Sequence, residues 1–133
     1  MDLSRRGLAG LVNLGNTCFM ASALQCLSHT HPITIHFLNN RYKADINEHN
    51  ALGSGGRIAR EYDQLVKELW FGTSPVVSPL GLKRTVARAA PMFAGTSQHD
   101  AQEFLNFLVD SLHEDLNRVK EKPYFEQSDD DDR

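Results

Sequence analysis

Cys18 is the residue of this 133-residue chain whose type and position most directly suggest chemistry. It lies in the stretch GLVNLGNTCFMASALQCL (residues 10–27), where a loop rich in Gly and Asn changes at the thiol into an almost wholly apolar run. A cysteine in the first turn of a helix is favoured as the thiolate, because unpaired backbone N–H groups and the helix dipole stabilise negative charge there. The thiolate is the form that attacks a carbonyl carbon. The position therefore predicts a candidate nucleophile.

The loop before Cys18 contains two further residues that such a nucleophile would use. Gly15 allows the backbone to approach a substrate closely, because it has no Cβ. Asn13 carries a side-chain amide that could donate a hydrogen bond to the oxyanion of a tetrahedral intermediate. The junction of loop and helix could therefore supply a nucleophile and an oxyanion donor together.

A second interpretation of Cys18 stays open, because a free cysteine is often a small core residue. Cys26 fits that interpretation and is expected in the core. Thiol catalysis also needs a base, and spacing alone pairs none of the six histidines with the thiol (His29, His31, His36, His49, His99 and His113). His29 is expected to bind the last carbonyls of a helix, His99 to cap a helix or lie at the surface, and His113 to be solvated.

The hydrophobic pattern predicts a mainly α fold around this junction, with no strand pair and no internal repeat. The first four helices are predicted from a cap at Asn16 or Thr17 to about Leu27, over 33–38, over 56–70, and from Ser78 and Pro79 to a point before Pro91. Most of the circumference of the first helix is apolar, so it should be buried.

The last helix has the clearest periodicity. Its start, Ser97-Gln98-His99-Asp100, resembles a capping box in which Asp100 replaces the usual Glu. Apolar residues recur at spacings of three and four: Ala101, Phe104, Leu105, Leu108, Leu112, Leu116 and Val119. Pro123 is expected to stop the helix, and the acidic residues 125–133 are predicted to be a disordered tail.

Composition and charge exclude several classes of function. The length suggests one domain with its own core. A net charge of −3 gives no indication of a nucleic-acid binder or a membrane-surface protein. The N-terminus lacks a signal-peptide pattern, and no apolar segment approaches the length of a membrane span. No CxxC or paired Cys/His cluster predicts a zinc site, and no cofactor is predicted.

The two cysteines indicate a reducing compartment, cytoplasmic or nuclear. On one helix they would lie roughly 12 Å apart, too far for a disulfide. Two thiols without a bridge or an export signal are typical of proteins kept in reducing surroundings.

Two long stretches resemble signatures of the ubiquitin-specific proteases. GLVNLGNTCFMASALQCL resembles the cysteine box of that family, and SQHDAQEFLNFLVDSLHEDL (residues 97–116) resembles its second signature, in the same order. The resemblance covers nearly all of residues 7–124. It implies the helical thumb of a papain-like cysteine protease, a catalytic domain that is α+β when complete, with residues 1–124 as the thumb and 125–133 as the tail.

The resemblance implies a cysteine-type deubiquitinase, which hydrolyses the bond after the C-terminal glycine of ubiquitin through a thioester. Cys18 would be the nucleophile and Asn13 the oxyanion donor. Gln98, Asp100 and Gln102 would contact the ubiquitin tail, where a carboxylate can accept a charge-assisted hydrogen bond from arginine. Ubiquitin and ubiquitinated proteins are the implied partners.

The sequence also departs from the family pattern. His99 replaces a second glutamine, and Ala21 replaces a common asparagine. The His box of the palm and the zinc-binding fingers, which lie downstream in the family, are expected to come from a complementary segment. The alternative is an inactive ubiquitin-binding or interaction module from a truncated paralogue.

Overall fold

A computed structural model of the chain describes residues 8–50, 52–95 and 97–117, and these residues form a mainly helical fold, as predicted. Five α-helices follow one another: α1 (Cys18–Ser28), α2 (His31–Leu38), α3 (Arg57–Phe71), α4 (Leu80–Ala89) and α5 (Ala101–Asp115). Short 3₁₀ helices, which the pattern did not predict, cover Arg41–Ala44 and Pro91–Phe93. None of the helices in the described ranges combines the length and apolar character needed to cross a membrane.

The ends of α5 differ from the prediction. Asp100, and not Ser97, is the N-cap: its extended backbone places Oδ1 2.7 Å from the Gln102 backbone nitrogen, which donates to it. The helix ends at Asp115, before the predicted stop at Pro123. Val119, Pro123 and the predicted acidic tail lie outside the described residues.

The start of α4 also differs slightly from the prediction. Pro79 is its N-cap, one residue after the predicted Ser78. At α2, Thr30 is the N-cap and Pro32 lies within the first two helical positions, where a missing N–H costs no hydrogen bond. That helix therefore begins at His31, two residues before the predicted start.

The prediction of no strand pair is wrong. Strands β1 (Gly10–Leu11) and β2 (Val76–Val77) form a parallel pair, with Gly10 opposite Val76. The backbone nitrogen of Val12 donates to the Val77 carbonyl at 2.9 Å, which extends the pairing by one residue. Two-residue strands are too short to show an alternating pattern. The pair fixes the chain directly before the loop that leads to Cys18.

All five helices contribute buried side chains to the core. Helix α3 contacts α2, α4 and α5, and α1 packs on α5 and α2. The hydrophobic residues of the described ranges that have no exposed surface are Met20, Leu24, Phe37, Ala59, Tyr62, Val66, Val86, Phe104 and Leu108. The prediction that Cys26 is a core residue is wrong, because it is exposed. At helical spacing Cys26 shares the solvent-facing row of α1 with Cys18 and Ser22, which are also exposed.

A buried carboxylate fixes the end of α5 to the start of α3. The Asp115 side chain, which is fully buried, accepts hydrogen bonds from Ser54 N at 2.7 Å, Ser54 Oγ at 2.5 Å and Ala59 N at 3.2 Å. Ala59 is in the first turn of α3, whose N–H groups lack helical partners, so Asp115 caps that helix from another element. A Cβ added at Gly53 would lie 2.9 Å from Asp115 Oδ1. We call Asp115, Ser54, Ala59 and Gly53 the Asp115 clamp.

Candidate functional site

Side-chain hydrogen bonds hold the loop before Cys18 in a tight turn. Asn13 Oδ1 accepts from the backbone nitrogens of Gly15 at 2.9 Å and Thr17 at 3.2 Å. Gly15 and Asn16 both have left-handed backbones, with φ of 99° and 54°. Glycine adopts this region freely, and asparagine is among the few other residues that tolerate it. The order Gly-Asn is therefore what turns the chain toward α1.

Cys18 is the first residue of α1 and is exposed. Thr17 is the N-cap, but its side chain does not cap the helix. Its hydroxyl oxygen instead accepts a hydrogen bond from Leu14 N at 2.9 Å, within the loop. The first-turn N–H groups of α1 therefore donate no hydrogen bond to the N-cap side chain, and such groups stabilise a neighbouring negative charge.

The structure brings the two sequence motifs together at the thiol. Cys18 Sγ donates to Gln98 Oε1 at 3.2 Å, across 80 residues of sequence. Gln98 Nε2 donates to Asn16 Oδ1, also at 3.2 Å. One glutamine amide thus connects the candidate nucleophile to the loop that precedes it. We call this arrangement of Cys18, Gln98 and Asn16 the glutamine bridge.

Aromatic packing next to the glutamine bridge fixes the two chain segments that form it. Phe19, next to Cys18, and His99, next to Gln98, contact each other edge to face with ring centroids 5.3 Å apart. The His99 ring also lies 5.0 Å from Phe93. The prediction that His99 caps a helix or lies at the surface is wrong, since it is half-buried in this aromatic cluster. Apolar burial of ring surface favours this position over full solvation.

Asp100 and Gln102 lie at the exposed start of α5, close in sequence to Gln98. Asp100 uses Oδ1 as the helix cap, and within the described ranges no partner engages its Oδ2. Gln102 Nε2 donates to Asn106 Oδ1 at 3.2 Å. The three residues predicted to contact the ubiquitin tail thus share one end of α5, with Gln98 on the thiol itself.

All six histidines lie in the part of the chain that the structure describes. The hydrogen bond of the Cys18 thiol goes to the Gln98 amide and not to an imidazole. His29 Nδ1 lies 2.9 Å from the Gln25 carbonyl oxygen in the last turn of α1, which confirms its predicted role. His113 is exposed on α5, also as predicted. No cluster of three metal-ligating side chains occurs in residues 8–50, 52–95 and 97–117.

Sequence reasoning missed two residues of functional or structural weight. Asn16 was expected only as a possible helix cap, but its side-chain oxygen Oδ1 accepts a hydrogen bond from Gln98 Nε2. The signal was its position directly after Gly15, since Gly-Asn favours left-handed turns. Asp115 was missed because a carboxylate near the negative end of its own helix gives no local indication that it caps another.

Comparisons with known proteins identify a family model and several relatives that are similar to this chain. A sequence model described as "Ubiquitin carboxyl-terminal hydrolase" matches residues 9–131. Ubiquitin carboxyl-terminal hydrolase 4 of Bos taurus is 57% identical over 123 residues, which are 92% of this chain. Ubiquitin carboxyl-terminal hydrolase 15 of Homo sapiens is 53% identical over 127 residues, 96% of this chain. The chain spans 13% of the length of each of these relatives.

Solved structures of DUB modules have a fold similar to that of this chain. A SAGA Ubp8/Sgf11/Sus1/Sgf73 DUB module bound to ubiquitin aldehyde matches with a TM-score of 0.71 at 28% identity. The match covers 86% of this chain and 26% of that chain. A SAGA DUB module bound to monoubiquitin matches with a TM-score of 0.69 at 27% identity and the same coverage.

Proposed function

Because the chain belongs to the ubiquitin carboxyl-terminal hydrolase family, we propose that it carries the nucleophile of a ubiquitin-specific cysteine protease. The proposed reaction is hydrolysis of the bond after the C-terminal glycine of ubiquitin. The observation that carries this proposal is the hydrogen bond between Cys18 and Gln98, which joins the two family motifs at an exposed thiol. A core cysteine of a helical bundle would be neither exposed nor paired with the second motif.

In the proposed reaction the Cys18 thiolate attacks the carbonyl carbon of the terminal glycine. An S–C bond forms, the C–N bond to the substrate breaks, and the departing amine takes up a proton. Water then hydrolyses the thioester and regenerates the thiol. The position at the start of α1 supports the first step, because the helix N-terminus favours the anionic sulfur.

We propose Asn13 as the oxyanion donor. Its Oδ1 is already engaged by backbone N–H groups of the loop, so the side-chain amide has a fixed orientation. The donor end, Nδ2, is then the part of the amide left for a developing oxyanion. A preorganised donor of this kind contributes to catalysis because it needs no reorganisation when charge develops.

The start of α5 is proposed to bind the tail of ubiquitin. Asp100 is exposed and keeps Oδ2 for a partner while Oδ1 caps the helix. Gln102 lies on the same exposed end of α5 and can donate or accept. Solved relatives are bound to ubiquitin aldehyde and to monoubiquitin, which supports ubiquitin as the partner proposed for this surface.

The proposal includes a complementary palm and fingers segment that supplies the imidazole base. The chain spans 13% of the length of the curated relatives it matches. Within the described residues, its thiol is hydrogen-bonded to an amide and not to a base. A cytoplasmic or nuclear location is also part of the proposal, because the mechanism requires Cys18 to stay reduced.

The test is covalent labelling with ubiquitin that carries a C-terminal electrophile. The chain is mixed with the part of ubiquitin carboxyl-terminal hydrolase 4 that follows its matched region, and adducts are located by mass spectrometry. We expect an adduct at Cys18, none in Cys18→Ala, and an unchanged yield in the matched control Cys26→Ala. Both cysteines are exposed on α1, so access alone does not distinguish them.

The absence of an adduct in the reconstituted pair would contradict the proposal. If ubiquitin then still bound, with chemical-shift changes around Asp100, the result would favour the non-catalytic binding module instead.

A further inference from the structure

We propose that Gln98 is a positioning residue that holds Cys18 in the protonated thiol form, so that the glutamine bridge has to open before the sulfur attacks. The inference deepens the proposed function by adding a resting state to the same site. It rests on that function for its biological meaning, but its chemistry concerns the thiol alone and is tested without ubiquitin.

Only one of the two atoms in contact can act as a hydrogen-bond donor. A side-chain carbonyl oxygen accepts hydrogen bonds and cannot donate. The contact between Cys18 Sγ and Gln98 Oε1 at 3.2 Å therefore exists only while the sulfur carries its proton. After proton loss the same geometry would place lone pairs of sulfur and oxygen against each other. The glutamine bridge stabilises the thiol and disfavours the nucleophile.

The other end of the Gln98 amide is engaged as well. Nε2 donates to Asn16 Oδ1 at 3.2 Å, and Asn16 belongs to the tight loop with φ of 54°. Rotation of the Gln98 amide to aim Nε2 at the sulfur would face Oε1 toward Asn16 Oδ1, so the Asn16 amide would have to rotate with it. The orientation that disfavours the thiolate is therefore the one that satisfies Asn16.

The backbone positions of the glutamine bridge are fixed, whereas its hydrogen bond to the thiol is weak. The contact of His99 with Phe19 fixes the neighbours of both bridged residues. Cys18 and Gln98 are exposed, and a thiol is a weak donor, so water or a ligand can replace the bond at small cost. This combination describes a restraint that is well placed and readily released.

The consequence is a link between substrate binding and thiol release. Gln98 is one of the residues that the family resemblance predicts to contact the ubiquitin tail. A backbone group of the tail that hydrogen-bonds to the Gln98 amide competes with Cys18 and Asn16 for the same atoms. Occupation of the tail site would then free the sulfur at the moment when a carbonyl carbon is present.

The test measures the rate of Cys18 alkylation by iodoacetamide against pH, in the 133-residue chain with Cys26→Ser as background. In this reaction an S–C bond forms, iodide leaves, and the thiol proton goes to the buffer. We expect Gln98→Ala to raise the rate at pH 7 about three-fold and to move the midpoint of the pH–rate curve down, because the thiol loses its acceptor. Gln98→Glu should lower the rate and move the midpoint up, because a carboxylate opposes a neighbouring thiolate.

Asn16→Gly tests the other end of the glutamine bridge. Glycine keeps the left-handed backbone but removes the acceptor of Nε2, so the change should be smaller than, and in the same direction as, that of Gln98→Ala. Gln64→Ala, an exposed glutamine of α3, is the matched control and should leave the curve unchanged. Far-UV circular dichroism checks that each variant is folded.

Two results would overturn the inference. One is a change in the same direction for Gln98→Ala and Gln98→Glu. The other is a Gln98→Ala curve whose high-pH plateau rises without a shift of the midpoint, since Gln98 would then merely cover the sulfur. Labelling by electrophilic ubiquitin is a separate measurement from these alkylation curves. Failure of the proposed function and failure of this inference are therefore distinguishable.

Discussion

The two ends of α5 each carry an aspartate that caps a helix, but the two carboxylates lie in opposite surroundings. Asp100 caps α5 itself and is exposed, with one hydrogen bond from Gln102. Asp115 caps α3 from outside that helix and is completely buried, with hydrogen bonds from Ser54 and Ala59. Capping of a helix by an aspartate therefore occurs once at the surface, where a partner can reach the carboxylate, and once in the interior, where only groups of the protein itself can bind it.

The difference shows how one helix can combine stability and accessibility. A buried charge is retained only when its hydrogen bonds are satisfied, so the Asp115 clamp fixes α5 relative to α3. An exposed cap contributes less to stability but keeps lone pairs for a ligand. The end of α5 that is fixed to α3 helps to position the other end, which carries Asp100 as its cap and follows Gln98 in the sequence.

Asp115→Ala should give the largest effect, because it leaves Ser54 N and Ala59 N without their acceptor. We expect a loss of about 3 kcal/mol in the free energy of unfolding, measured by urea denaturation at pH 7. Asp110→Ala, an exposed aspartate on the same helix, is the matched control and should change stability by less than about 0.5 kcal/mol. Equal losses in the two variants would show that the buried Asp115 carboxylate contributes no more to stability than the exposed Asp110 carboxylate.

Gly53→Ala tests whether the Asp115 clamp is tightly packed. The added Cβ would lie 2.9 Å from Asp115 Oδ1, so either the loop or the carboxylate has to move. We expect a loss of about 2 kcal/mol in the same assay. Gly95→Ala is the control, since nothing lies within 4 Å of a Cβ at that position. A neutral Gly53→Ala would indicate a clamp that yields at little cost.

Tyr62→Phe contrasts the satisfied Asp115 with a buried hydroxyl that has no hydrogen-bond partner within the described residues. Burial raises the pKa of Tyr62 above its ordinary value of 10.0, so the folded state binds the proton more tightly than the unfolded state. This contribution to stability is complete below pH 10 and is lost as the pH rises toward the folded-state pKa.

For each such tyrosine the wild-type loss should approach about 1.4 kcal/mol per pH unit above pH 10. Burial also raises the pKa of Tyr42, so Tyr62→Phe should reduce the alkaline slope without removing it. Urea denaturation at pH 7 and pH 10.5 measures the difference. Parallel losses in wild type and variant would contradict the assignment to Tyr62.

Asp100→Ala should give the smallest loss of stability, about 1 kcal/mol, because an exposed N-cap is removed. Asp100→Asn keeps the cap but removes the charge, so its stability should stay within about 0.5 kcal/mol of wild type. Both variants should reduce labelling of Cys18 by the electrophilic ubiquitin in the reconstituted pair. Full labelling of Asp100→Asn would show that the charge does not contact the ubiquitin tail.

The sequence predicted those parts of the fold that a local pattern encodes. The apolar stripe of α3 and the cap and Pro signals at α1 and α4 placed these helices within one residue of their observed starts, and α2 was predicted two residues late. The pairing of Gly10 with Val76 was not predictable, because two-residue strands have no period and their partners are far apart. Ser97 and Asp100 are both good caps, and only the backbone geometry selects Asp100.

The candidate site was predictable in its residues but not in its connections. Residue type alone assigned Cys26 to the core, whereas helical spacing from Cys18 places it on the exposed row. The resemblance to a family named Cys18 and Gln98, but the hydrogen bond between them depends on how α1 packs against α5. The role of Asn16 depends on the same packing, which spacing along one chain does not reveal.

The exposed row of α1 makes each molecule its own reference for thiol chemistry. Cys18 and Cys26 are both exposed on one helix, and the glutamine bridge engages the thiol of Cys18. The ratio of label at the two sulfurs, read from a single digest by mass spectrometry, is independent of protein concentration and reagent dose. Global unfolding would expose both thiols alike and bring the ratio toward one, whereas opening of the glutamine bridge would change it on the Cys18 side alone.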